Sequence, residues 1–461
     1  MPPSPLEDLG SPIDGYLDGV VVRGGDLQNV DVGGAVGDVI VEGGHLIRLV
    51  ANSDGVAPTN VFQGIFGNVY AVAIDTVNVG QGLQGTGPSP FARAGIFADD
   101  DIILVTGTNA TIAGVIIAGN VDATARTTIG TENPIGLQNP VFGLNNVTLT
   151  NGRYNEAYIA SVPLDDFWLS DRVRDVNYWS GQVRLIRGIN SDLFGSFVRG
   201  IAVVEVNLTG GAYDGTYTAA SASIGTINAD EFRNSTRLGT PDEIRPSRIE
   251  ASLNIQNVIT NGLAGDIADL EIDAGGTLFG SVSGRNLARV SIAVNNEVFN
   301  VIAANDVRAT TITSGSLRNL SAGGDIRSSS INVAGPIIQM IATGEITLTE
   351  ILSNGPDGRI DLVRSNGRMQ GVLSSSGPIG TIESVNSDVE MSISSTDPSD
   401  GRLSRLAAGR DLLIDLQILG NADTIVAGRN IGRKTDGRGN ALDIRGNLGN
   451  ITATNGQIYN D

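Results

Sequence analysis

The chain has 461 residues and a formal net charge of −20, a balance that argues against a nucleic-acid backbone or an anionic membrane surface as partner. It contains no Cys and a single His, which excludes disulfides, thiolate metal sites and His-cluster metal centres. Hydrophobic residues make up 41%, charged residues 17% and aromatics 5%, with 61 Gly; a large core is affordable, built from small aliphatic side chains, and glycine stands at about twice its ordinary share.

In chain order, the opening MPPSPLEDLGSPIDG has neither the basic nor the apolar region of a secretory signal. Residues 1–19 read as an N-terminal arm or cap. No apolar run reaches the roughly 18 residues that a membrane span requires. Residues 20–139 read as short strands. Three apolar steps stand close together: Gly25-x-Leu27-x-x-Val30, Gly34-x-Val36-x-x-Val39 and Gly44-x-Leu46-x-x-Leu49. Their apolar starts lie 9 and 10 residues apart. Residues 96–126 are rich in β-branched side chains and punctuated by Gly and Asn, which suits more of the same.

Residues 140–250 depart from this pattern. They hold both tryptophans, Trp168 and Trp179, with Tyr178, Phe194, Phe197 and other aromatics. Two structural readings stand: an insertion with its own small aromatic core, or irregular layers needing bulkier filling. Trp, Tyr and Arg are also the usual anchors of interfaces, so Trp168, Tyr178, Trp179, Phe194 and Phe197 are candidate contacts for a neighbouring subunit or a glycan.

From 251 to 461 the step becomes regular. It recurs at Gly265-x-Ile267-x-x-Leu270, Asn296-x-Val298-x-x-Val301, Gly315-x-Leu317-x-x-Leu320, Gly335-x-Ile337-x-x-Met340 and Gly358-x-Ile360-x-x-Val363. It continues at Gly377, Gly401, Gly420 and Gly446, and the spacings from Asn296 onward are 19, 20, 23, 19, 24, 19 and 26. A second apolar step follows nine or ten residues after the first, as in Leu317 to Ile326, Ile337 to Ile346 and Leu448 to Ile458. Each unit thus holds two or three short strands, opened by Gly or Asn, residues that tolerate positive φ. Strands of this length cannot bury an apolar face alone. Coiling stacks equivalent strands about 4.8 Å apart and turns the core residues into continuous ladders.

These repeats resemble the parallel β-helix family, in particular the Gly-rich G-x-I-x-x-I-x-A-G-x-D-I repeats of secreted bacterial surface proteins. The resemblance covers 257–461 and 20–50 well, and the region between loosely. It implies an all-β, single-stranded parallel β-helix (a solenoid), with an aromatic-rich insertion or irregular layers in the middle. It says little about activity, because the same coil serves adhesins, fibres, phage spikes and polysaccharide lyases.

Chemistry is sparse. His45 occupies the x of Gly44-x-Leu46, a slot filled elsewhere by Ser316, Pro336, Arg359 and Arg402, and reads as a solvated face residue. The acid pairs Asp99-Asp100-Asp101, Asp165-Asp166 and Asp171 with Asp175 assemble into no lyase or hydrolase set, since neighbouring strand residues point to opposite faces. The glycines of 432–440 read as turn residues, and Asn109-Ala110-Thr111 matches a glycosylation pattern that an Asn- and Thr-rich chain reaches by chance. No catalytic or cofactor residue is assigned. The metal question stays open: structural Ca²⁺ suits the charge, but no residue marks a site.

The last unit, GNLGNITATNGQIYND, is an ordinary repeat with Ile458 and Tyr459 at its end. A stacked coil with an open end invites another chain. The sequence therefore leads to a non-enzymatic structural subunit of an extracellular bacterial fibre, sheath or appendage, at the cell surface, with itself as head-to-tail partner. Two alternatives stand beside it: a monomeric adhesin binding cell-surface polysaccharide through 140–250, and a polysaccharide lyase or hydrolase working on the coil's face.

Overall fold

A computed structural model describes residues 16–51, 64–84, 94–118, 143–155, 157–160, 182–234, 247–397, 400–432 and 442–459. These residues form an all-β structure with forty strands and one short 3₁₀ turn at Asn261–Leu263. The chain divides into two units, Met1–Gly211 and Ala212–Asp461.

In Ala212–Asp461, strands lie parallel to the strand about one period later. Three core columns result. The first runs Leu278, Val298, Leu317, Ile337, Ile360, Ile379, Leu403, Ala422 and Leu448. The second runs Ile267, Leu287, Val307, Ile326, Ile346, Met369, Val389, Leu412, Ile431 and Ile458. The third runs Ile272, Ile292, Ile312, Ile331, Ile351, Leu373, Ile393, Leu416 and Leu442. The nine-residue half-step of the sequence is the distance from the first column to the second. One sequence assignment fails here. Ile267 of Gly265-x-Ile267-x-x-Leu270 stacks in the second column, under Leu287, and not in the first with Leu317.

The glycines also serve a different purpose from the one expected. Those that open the steps from Gly315 to Gly446 do not adopt positive φ. A Cβ built on Gly420 would lie 2.7 Å from the carbonyl oxygen of Gly401, and one on Gly377 2.3 Å from that of Gly358. Consecutive layers approach too closely there for any side chain. Positive φ falls instead on a different corner, at Asp269, Arg289, Ala309, Ser328 and Leu348, with φ between 48° and 55°.

In Met1–Gly211 the same grammar is spaced more widely. Leu27 stacks under Leu46, then Ile74, Ile102, Leu144, Val183 and Val203. Val30 begins a companion column through Leu49, Val77, Val105, Val147, Ile186 and Val206. Its positive-φ corner is built from Asn109, Asn151 and Asn190, at 52°, 51° and 50°. The Asn190 side-chain amide donates to Asn151 Oδ1 at 2.9 Å.

The described part of 140–250 consists of strands in parallel register with their neighbours, with bulkier filling. Tyr154 is fully buried and its hydroxyl donates to the carbonyls of Val147 (3.1 Å) and Arg187 (2.9 Å). In the second unit Tyr213 is fully buried against Phe232, ring centroids 5.4 Å apart, with its hydroxyl on Thr218 Oγ1 at 2.9 Å.

Candidate functional site

The second unit holds its layers together by a device the sequence reading passed over. Before several second-column strands an Asp or Asn accepts the backbone N–H of the equivalent residue one layer on, while Glu345 and Arg368 hold that place before Ile346 and Met369. Asp306 Oδ1 takes Asp325 N–H at 2.8 Å, and Asp325 Oδ1 takes Glu345 N–H at 2.7 Å. Farther along, Asp388 Oδ1 takes Asp411 N–H, Asp411 Oδ1 takes Asn430 N–H, and Asn430 Oδ1 takes Gln457 N–H, each at 3.0 Å. The signal was present in the D-I and N-I steps of the repeat. A carboxylate here does the work of a backbone carbonyl, which gives Asp306, Asp325, Asp388 and Asp411 a structural role in their turns.

Two further ionisable clusters stand among the described residues, one paired with arginine and one purely acidic. Arg248 pairs with Glu250 (3.2 Å) and Asp273 (2.8 Å), and the Tyr217 hydroxyl donates to Glu250 at 2.7 Å. Burial pushes the Asp273 carboxyl up, against the lowering pull of Arg248. Asp99 accepts the Tyr70 hydroxyl at 2.6 Å, while burial and then the charges of Asp101 and Asp99 push Asp100 up. His45 is exposed, as its slot in the repeat implied, and its backbone N–H donates to Asp26 Oδ1 at 2.9 Å. Among the described residues no group of three or more His, Asp or Glu is arranged to hold a metal ion.

Of the candidate contact residues, Trp168, Tyr178 and Trp179 lie outside the described residues, as do Asp165, Asp166, Asp171 and Asp175. Phe194 is half-buried in the strand Asp192–Phe194, with the Arg153 guanidinium 4.1 Å from its ring centroid. Phe197 opens the strand Phe197–Gly200 and is 38% exposed. Ile458 and Tyr459 fall on the last described layer of the second unit, where the Tyr459 N–H donates to the Ile431 carbonyl at 2.8 Å.

That last layer is the most unusual surface described. The strand Leu442–Ile444 pairs with Leu412–Ile418, and Leu448–Ala453 pairs with Ala422–Ala427. No strand ladder among the described residues occupies their other edges. Leu448 is 42% exposed and Ile458 47%, whereas Ala422 and Ile431, which they cover, are at 0% and 1%. Core side chains and a row of backbone groups therefore face outward together. In the opening layer of the first unit no strand ladder among the described residues lies on the outer edge of Leu17–Arg23. Leu17, Val20, Val22 and Leu27 are half-exposed, while their partners Val36, Val39, Val41 and Leu46 are fully buried.

The chain matches no family model, no curated protein and no solved structure.

Proposed function

We propose that this chain is a single-stranded parallel β-helix serving as a non-enzymatic structural subunit of an extracellular fibre, sheath or appendage, its copies joined head to tail through their open end layers. The observation that carries this reading is the exposure of Leu448 and Ile458, in columns whose interior members are fully buried. An open parallel edge with apolar side chains beneath it is a template for another strand. A heterologous contact of that kind propagates into a filament unless its rotation closes a ring. Parallel ladders and repeating core columns support the coil itself.

Electron microscopy of the purified chain over a range of concentrations is the test. Filaments with a stacking repeat of about 4.8 Å are the expected result, and the double variant Leu448→Lys/Ile451→Lys abolishes them while leaving the β-sheet circular dichroism intact. Strictly monomeric particles at millimolar concentration would overturn the reading.

A further inference from the structure

We infer that the joint between copies has a defined register, in which Gly25-x-Leu27-x-x-Val30 of one copy lies on Gly446-x-Leu448-x-x-Ile451 of the next. This inference rests on the head-to-tail reading and specifies its contact.

The two edges carry the same step and complementary hydrogen-bonding groups. Inside the first unit, Leu27 N–H donates to His45 O at 2.8 Å, Ile47 N–H donates to Leu27 O at 3.0 Å, and His45 N–H donates to Asp26 Oδ1 at 2.9 Å. Inside the second unit the same corner repeats the pattern: Ala422 N–H donates to Asn447 O at 2.9 Å and Asn447 N–H to Asn421 Oδ1 at 2.8 Å. At the open end of the second unit the next members of this series are Leu448 N–H, Leu448 C=O and Asn447 Oδ1. At the open end of the first unit they are Asp26 C=O, Gln28 N–H and Asp26 N–H. Donor meets acceptor at all three places when Leu27 stands over Leu448. The same placement sets Val30 over Ile451 and Val32 over Ala453, continuing two apolar columns. A shift of one residue would leave the Leu448 N–H and C=O without partners across the joint and would interrupt both apolar columns, so the register is strongly specified. The occupant this edge fits is therefore a second copy of this chain.

The chain has no cysteine, which makes disulfide trapping clean. In the proposed register Asp31 stands beside Thr452, both exposed, with Cα atoms about 4.8 Å apart, inside the span a disulfide bridges. Full-length Asp31→Cys and Thr452→Cys proteins are mixed, oxidised and run on a non-reducing gel. A covalent dimer is expected from this mixture, and none from Asn29→Cys mixed with Thr452→Cys, whose Cα atoms would stand about 8 Å apart. Filaments in microscopy without the 31–452 dimer, or with an equally abundant 29–452 dimer, would overturn the register while leaving head-to-tail assembly in place. Neither filaments nor dimers would overturn both.

Discussion

At the scale of single residues, the chain tolerates backbone strain on one corner and offsets it with side-chain acceptors on another. Leu348 has φ of 50° and is 68% exposed. An L residue in that region costs about 1–2 kcal/mol, and asparagine is among the few that tolerate it. Leu348→Asn should therefore raise stability by about 1 kcal/mol in urea unfolding, and an unchanged midpoint would deny that the corner is strained. The first unit already places Asn109, Asn151 and Asn190 at its own such corner. Asp325 illustrates the second device. It accepts Glu345 N–H and carries Arg327 at 2.6 Å. Asp325→Ala leaves a backbone donor without its partner and should cost about 1 kcal/mol, or somewhat more. Asp325→Asn keeps the acceptor, as Asn430 does naturally, and should cost measurably less. Equal losses for the two would show that the ion pair, not the ladder, matters.

At the scale of strands and layers, stability follows position in the column. Leu317 and Leu448 belong to the same column and open the same motif, yet Leu317 is fully buried and Leu448 is not. Leu317→Ala should cost about 2–5 kcal/mol by loss of transfer energy and by the cavity left between Val298 and Ile337. Leu448→Ala should cost well under about 1 kcal/mol in the isolated chain and act on assembly instead, raising the concentration at which filaments appear. Chemical denaturation and light scattering read the two effects separately. This contrast was legible in the repeat only in part: the spacing located both leucines, but their different burial depends on what lies above each layer. The column assignment of Ile267 shows the same limit. Its Gly-x-Ile-x-x-Leu step is indistinguishable in sequence from that of Leu317, and only pairing with Leu287 separates them.

At the scale of the whole chain, each unit carries a buried tyrosine whose ionisation opposes folding. Burial raises both Tyr154 and Tyr213 well above the ordinary phenol value. Each is neutral in the fold, so the stability it contributes is complete below about pH 10 and is lost as the pH rises above that value and the unfolded chain ionises. The melting temperature should drop between about pH 9.5 and 11.5, and the double variant Tyr154→Phe/Tyr213→Phe should flatten that drop; parallel curves would refute the assignment. The sequence by itself determined the all-β class, the period near 20 residues, the nine-residue half-step and the solvated place of His45, because each is fixed by which residues recur at which spacing. Tertiary structure decided that the repeat glycines from Gly315 to Gly446 serve close approach and not positive φ, that Asp and Asn side chains join successive layers, and that Tyr154 and Tyr213 fill the interior. Those properties depend on which residues from adjacent layers meet, and residues that meet lie some 20 or more positions apart in the chain, beyond the reach of local pattern.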